Sequence, residues 1–262
     1  MEDRVSLEIK DGIADVRLCR TDKLNALDVP MFDALIATGR RLAGERAVRA
    51  VVLSGEGRAF CAGLDFASVM AEKSRNLLER REGEVANVGQ AAAWVWHELP
   101  MPVIAAVHGV AYGGGLQIAL AADIRIVAPD AQLSVRELHW GLIPDMTGTQ
   151  TLRHLVRQDV AKELVYTARI VSGTEAVALG LATRTSDTPR ETAFELAREI
   201  AARSPSAMRA AKRLLDATRV GSAAEGLLLE EQVQRSVIGG PNQLEAVRAN
   251  MAKRDPVFSD AE

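Results

Sequence analysis

The stretch Val103-Ile-Ala-Ala-Val-His-Gly-Val-Ala-Tyr-Gly-Gly-Gly-Leu-Gln117 decides the fold. Its first residues, Val103 to Val107, are apolar and include β-branched Val and Ile, the composition of a short buried strand. Gly109 turns the chain, and the consecutive glycines Gly113 to Gly115 follow. Leu116-Gln-Ile-Ala-Leu-Ala-Ala122 then continues without a breaker as a buried helix. Strand, glycine cluster and helix in this order aim unpaired backbone N–H groups at whatever sits above the helix N-terminus. Glycine there lets a ligand approach the backbone. Such a site suits an anion, or an oxygen that becomes one during reaction. The same small residues, with Ala105, Ala106 and Ala111, would equally serve tight packing of a helix on a sheet, and the stretch alone leaves both readings open. A dinucleotide fingerprint is disfavoured, because G-x-G-x-x-G would need Gly or Ala where Ile118 stands.

Outward from this element, strands and helices alternate. Val5, Leu7 and Ile9 alternate with polar residues, Asp11-Gly12 turns, and Ile13 to Leu18 alternates again, which is a β-hairpin pattern. Asp28 and Pro30 announce a helix to about Leu42, with Met31, Leu35 and Leu42 on one face. Ala50 to Ser54 reads as a buried strand ended by Gly55 and Gly57. Ala59-Phe-Cys-Ala-Gly-Leu-Asp65 is a small-residue turn off that strand. Glu72 to Glu84 is heavily charged, expected to be a mobile helix or loop that solvates a face, and whether it closes over a ligand is left open. Trp94, Val95 and Leu99 lead to Pro100 and Pro102, and Asp123 to Val127 is a further strand. This order predicts right-handed crossovers in an α/β protein. The remainder is mostly helical. Thr174 is expected to cap a helix stopped by Gly180, and Pro189 precedes one reaching about Arg203. Ser204-Pro205 opens another, Ser222 with Glu225 forms a capping box, and Asn242 with Glu245 is a second candidate box.

The 262 residues are 48% apolar and 26% charged, a globular composition. Net charge is −3 and the pI is near 5.9. That gives no electrostatic footprint for nucleic acid and no polybasic patch for a membrane. Cys19 and Cys61 form neither a disulfide framework nor a metal pattern, which fits a reducing cytoplasm. The N-terminus carries no signal-peptide pattern, and no apolar run is long enough to span a bilayer.

Four motifs then stand in order: Lys23-Leu-Asn-Ala-Leu27, Ala62-Gly-Leu-Asp65, Gly113-Gly-Gly115 and Gly141-Leu-Ile-Pro144 with Gly148-Thr-Gln150. Together they resemble the enoyl-CoA hydratase/isomerase (crotonase) superfamily over nearly the whole chain. The resemblance implies a spiral of ββα units with a helical C-terminal subdomain, residues 1–190 forming the core and 191–262 the helical region. It implies an acyl-CoA thioester as ligand and a homotrimer or dimer of trimers. It implies that the N–H groups of Leu64 and Gly114 form an oxyanion hole. Fixed N–H donors stabilise the enolate oxygen formed next to a thioester more than they stabilise the neutral carbonyl. The CoA moiety would lie along Lys23, Leu24 and Ala26 and along Ala62, Asp65 and Phe66. Lys253 (or Arg254) would meet its phosphates, with Phe258 close by.

Hydratases of this family use two glutamates. At the first position this chain has Gln117, which orients a water but does not accept its proton. At the second, Glu137 stands in place, within an apolar context that would tune its basicity. A surface glutamate paired with Arg136 is the plain alternative. Asp145 matches the aspartate of dienoyl-CoA isomerases, although those enzymes also hold a carboxylate where Gln117 stands; a cap for the helix from Thr147 is the other reading. His139 and Trp140 are candidates for the acyl pocket, whereas His97, His108 and His154 read as packing. Cys61 reads as a small buried residue. Double-bond isomerisation with Glu137 as proton shuttle is the leading expectation, with no metal or redox cofactor, coenzyme A being part of the substrate. Hydration of a 2-enoyl-CoA is the enzyme alternative, and a catalytically silent acyl-CoA-binding protein is the alternative of another class.

Overall fold

The computed structural model describes residues 4–72 and 76–261. Residues 1–3, part of the N-terminus read for a signal sequence, and residues 73–75 of the charged stretch lie outside the described residues. The chain opens with β1 (Val5–Lys10) and β2 (Ile13–Leu18), paired antiparallel across Asp11-Gly12 as the alternation predicts. A 3-10 turn at Thr21–Lys23 precedes α1 (Val29–Ala43), capped by Asp28, whose side chain accepts from the Met31 N–H. Then come β3 (Ala50–Gly55), α2 (Phe66–Ala71), α3 (Val88–His97) and β4 (Val103–Val107). Beyond Gly109 lie β5 (Val110–Tyr112), α4 (Gly114–Ala121), β6 (Ile124–Val127) and β7 (Gln132–Ser134).

A 3-10 turn at Glu137–Trp140 leads to α5 (Gly148–Leu155), α6 (Gln158–Thr167), β8 (Val171–Ser172), α7 (Gly173–Leu179) and β9 (Arg184–Thr185). Four helices finish the chain: α8 (Pro189–Ala201), α9 (Pro205–Ala217), α10 (Ala223–Val237) and α11 (Pro241–Met251). No helix of the described residues is long and apolar enough to cross a membrane.

The main sheet has the order β1-β2-β3-β4-β6-β9, parallel from β2 onward. Every residue of β3 and β4 is buried, which is why both read as unbroken apolar runs. Val51 and Leu53 belong to the larger core with α1, α3 and α4, and Ala50 and Val52 to the opposite face under α8. Ala193, Ala197 and Ala201, spaced every fourth residue, let α8 lie close on that face. The boundary expected at 190 therefore falls inside a helix that covers the sheet. The chain is of mixed α/β class, and its parallel order puts the C-terminal ends of β3 and β4 on one edge.

Three expectations are corrected. The short strand β5 was not foreseen, because three residues between Gly109 and Gly113 carry no readable period. The cap of α7 is Ser172, whose side chain accepts from the Glu175 N–H; Thr174 is the second residue of the helix. Asn242 and Glu245 form no capping box. Gly240 is the N-cap of α11, while buried Asn242 bonds Ser206 and the Ser259 backbone instead.

A buried latch ties the first motif to the second. Asn25 is fully buried at φ +57°, a conformation that its short amide tolerates. Its Nδ2 donates to the carbonyls of Glu56 (2.9 Å), Ala59 (2.8 Å) and Phe60 (3.2 Å), and its Oδ1 accepts from the Arg20 N–H. This lays Lys23–Leu27 beside the next segment. The Ala62 N–H donates to Leu24 O, Leu27 N–H to Gly63 O and Asp65 N–H to Leu27 O.

Candidate active site

The extension of β3 runs beside β5. Cys61 N–H donates to Val110 O and Tyr112 N–H to Cys61 O, both at 3.0 Å, so Cys61 lies opposite Ala111. Counting on from that pair, Leu64 and Gly114 leave the strands at the same level. Gly63 has φ +88°, and a Cβ there would stand 2.7 Å from the Tyr112 carbonyl and 3.8 Å from the Gly114 nitrogen. Only glycine admits this approach. Among the described residues, neither Leu64 N–H nor Gly114 N–H meets a backbone acceptor, and both residues line one cavity of about 180 Å³. Gly114 is also the first residue of α4, so the helix dipole adds to its N–H. The arrangement can hold an oxygen that gains charge.

Glu137 begins the 3-10 turn and is 7% exposed. Its Oε1 rests 3.2 Å from where a Gly113 Cβ would be, and Gly113 turns there at φ +49°. The base candidate thus sits directly against the glycine cluster. Burial, with the nearby Asp145 charge adding to it, pushes the Glu137 carboxyl up to about 7, although the hydrogen bond from Gln117 opposes this. It makes no ion pair with Arg136. That guanidinium lies over the Tyr112 ring and near Ala168 O, at the α6 C-terminus.

Gln117 does not line the cavity. Its Oε1 accepts from the Gly148 N–H at 2.8 Å, which fixes the amide, and its Nε2 donates to Glu137 Oε1 at 2.5 Å. Glu137 Oε2 is buried without a hydrogen-bond partner. One carboxylate oxygen is held; the other is free for chemistry.

Asp145 lines the cavity from an exposed position, and partial desolvation by the neighbouring wall raises its carboxyl. It does not cap α5: the N-cap there is Thr147, in the left-handed region at φ +74°, with no side-chain cap bond. The apolar wall is Phe32, Leu64, Phe66, Leu77, Trp140 and Met146. Of the two aromatic candidates, Trp140 lines the cavity and meets Phe66 with centroids 4.8 Å apart and the rings tilted, whereas His139 does not line it and meets Trp140 edge-on at 5.3 Å. Cys61 is wholly buried against Gly115, and its thiol is pushed up to about 12. It is no nucleophile at neutral pH.

The residues expected along the CoA moiety divide. Ala62 and Phe66 line the cavity, while Lys23, Leu24 and Ala26 form the adjoining latch segment, with Lys23 exposed. Asp65 is a structural clasp. It caps α2 through Ser68 and pairs with Arg20 at 2.8 Å, and these contacts, Ser68 first, lower its carboxyl to about 2. Phe258 is placed elsewhere: its carbonyl accepts from Arg49, which precedes β3, so it sits at the opposite end of the sheet within one chain. Lys253 is exposed and is likewise not in the cavity wall.

Met146 and Gly148 were not foreseen as site residues. Met146 Sδ would lie 2.7 Å from a Gly114 Cβ, and a Gly148 Cβ would lie 2.7 Å from Gln117 Oε1. The readable signal for Gly148 was a glycine opening a helix, whose N–H needs an acceptor outside it.

A family model described as enoyl-CoA hydratase/isomerase matches residues 8–261. The chain belongs to the enoyl-CoA hydratase/isomerase family. It is 32% identical over 260 residues to mouse methylglutaconyl-CoA hydratase, covering 94% of this chain and 79% of that protein. To human enoyl-CoA hydratase domain-containing protein 2 it is 34% identical over 260 residues, covering 94% and 85%. The crystal structure of an enoyl-CoA hydratase from Bacillus anthracis superposes with a TM-score of 0.87 at 32% identity, covering 97% of this chain and 98% of that one. The chain is thus an enzyme of the crotonase superfamily with the crotonase fold, and an acyl-CoA thioester is the consistent substrate class.

Proposed function

We propose that this family member is an acyl-CoA double-bond isomerase in which Glu137 carries the proton. The observation that carries the reading is the commitment of Gln117 at both ends of its amide, to Gly148 and to Glu137. Water addition calls for a second group able to exchange protons with water, and a bound amide does not supply it. Moving a double bond needs one base.

In the proposed step the Glu137 carboxylate takes a proton from the α carbon of a 3-enoyl thioester. The C–H electron pair shifts into the dienolate, whose charge gathers on the thioester oxygen between Leu64 N–H and Gly114 N–H. Return of the proton from Glu137 to the γ carbon gives the 2-enoyl thioester. One such donor is typically worth about 3 kcal/mol of transition-state stabilisation. No metal or redox group enters this chemistry, and coenzyme A arrives as part of the substrate, along Lys23–Ala26 and Ala62–Phe66. A carboxyl near 7 suits the work, since it is both a competent base and a competent acid at neutral pH.

Hydration is the second reading, favoured by relatives named as hydratases. A dienoyl substrate, with Asp145 as partner carboxyl, is a variant of the first. The test is product identity. A 3-enoyl-CoA converted to an isomer of unchanged mass supports isomerisation. Exclusive gain of one water from a 2-enoyl-CoA, with the 3-enoyl compound untouched, refutes it. We further propose a trimeric assembly through α9–α11, where Leu215, Leu227, Leu228 and Met251 are exposed, and a cytoplasmic location in keeping with the unpaired Cys19 and Cys61.

A further inference from the structure

Glu137 and Trp140 open and close one 3-10 turn, Glu137–Trp140. Side chains three apart eclipse in such a turn. Trp140 therefore stands over the same face as the carboxylate and flanks whatever carbon chain the carboxylate reaches. Across the cavity, Phe66 follows the Leu64 turn by two residues and meets Trp140 at 4.8 Å with the rings tilted by 42°. The pair links the two elements between which the reacting carbons would lie. Yet Trp140 is 58% exposed, and beyond it Leu142 and Ile143 are exposed too. Trp140 and Leu142 on the cavity wall, with Ile143 next in sequence, thus present exposed apolar surface close to the base. Its charged neighbours are Glu137 and Asp145, both carboxyls, and Arg136 on the cavity wall, whose guanidinium is turned to Ala168 O and the Tyr112 face.

We infer that Trp140 selects the acyl group: the site takes a neutral, apolar acyl chain longer than four carbons, laid along the indole, and disfavours a chain that ends in a carboxylate. This rests on the acyl-thioester reading of the site but not on the choice of reaction. Each methylene transferred from water to the indole face adds to binding, whereas a terminal carboxylate would be desolvated on that apolar face beside Asp145 with no opposing cation directed at it.

The experiment measures binding of saturated, unreactive butyryl-, hexanoyl-, decanoyl- and adipoyl-CoA to the full-length protein by calorimetry. Turnover of 3-enoyl-CoA substrates of the same lengths is measured in parallel. Decanoyl-CoA is expected to bind at least about tenfold tighter than butyryl-CoA, and adipoyl-CoA more weakly than hexanoyl-CoA. Trp140→Ala should bring the decanoyl-to-butyryl ratio to within about threefold, while Trp140→Phe, which keeps a ring on Phe66, should retain most of it. Equal affinities in the unmodified protein, or an unchanged ratio in Trp140→Ala, overturn the inference. Tighter binding of adipoyl-CoA than of hexanoyl-CoA also overturns it, and would assign Arg136 to an acyl carboxylate. Chain-length preference without isomerisation sinks the proposed reaction and leaves the role of Trp140 standing.

Discussion

Glu137→Gln separates the function of the carboxyl from its cost. The substitution preserves shape, and an amide oxygen remains to accept from Gln117 Nε2, so packing and the first hydrogen bond are kept. What changes is the charge. Burial raises the carboxyl from 4.5 to about 7, so the folded protein binds a proton there that the unfolded chain has released. The sign follows: the stability that this proton brings is complete below about pH 4.5 and is lost as the pH rises to about 7. At 1.36 kcal/mol per pH unit the loss reaches about 3 kcal/mol. The Gln variant has no such loss. Urea unfolding of both proteins between pH 4 and 8 should give a stability difference that shifts in favour of the variant by up to about 3 kcal/mol across that window and stays flat above it. The same variant should lose at least about 100-fold in kcat/KM. A pH-independent stability difference would show that Glu137 does not titrate near neutrality. Retained activity would show that the base lies elsewhere.

Five further outcomes follow from the same geometry. In the unmodified enzyme kcat/KM should rise with pH to a plateau above about 7, as the carboxylate form accumulates, and Asp145→Asn should move that rise to lower pH by removing a neighbouring negative charge; a pH–rate profile checks both. Gln117→Glu would set two carboxyls within 2.5 Å sharing one proton and would supply the second acid/base, so hydration of a 2-enoyl-CoA should increase, read by the mass of the product. Gly114→Ala would force a Cβ to 2.7 Å from Met146 Sδ and 2.9 Å from Leu27 Cδ1 and displace the oxyanion donor, for an expected loss of about 100- to 1000-fold in kcat with the fold kept. Asn25→Ala would strip an amide donor from the buried Ala59 and Phe60 carbonyls and should lower stability by about 2–3 kcal/mol in urea unfolding.

The sequence was most legible where a pattern is local. The hairpin, α1 with its Asp28 cap, β3, β4 and the helix after the glycines are all written in alternation, caps and breakers. Leu64 and Gly114 could be named from motif order, but their shared level depends on the pairing of Cys61 with Ala111, and pairing across fifty residues leaves no local trace. The bond from Gly148 to Gln117 is of the same long-range kind. The motif places Asp65 along the coenzyme; Arg20 and Ser68 occupy its carboxylate, which leaves its backbone for such a contact. Ser172 caps α7 instead of Thr174 because the helix begins at Gly173, two residues before the start that a Thr174 cap would give.

Because Gln117 occupies one oxygen of Glu137 and the other is shut away from solvent, a hydron lifted from substrate has a single resting place and little traffic with the medium. It leaves and re-enters from the same side of the planar dienolate, so migration of the double bond should be suprafacial. Turnover in heavy water should then leave much of the product carrying the substrate's own hydrogen, with label concentrated on one prochiral face.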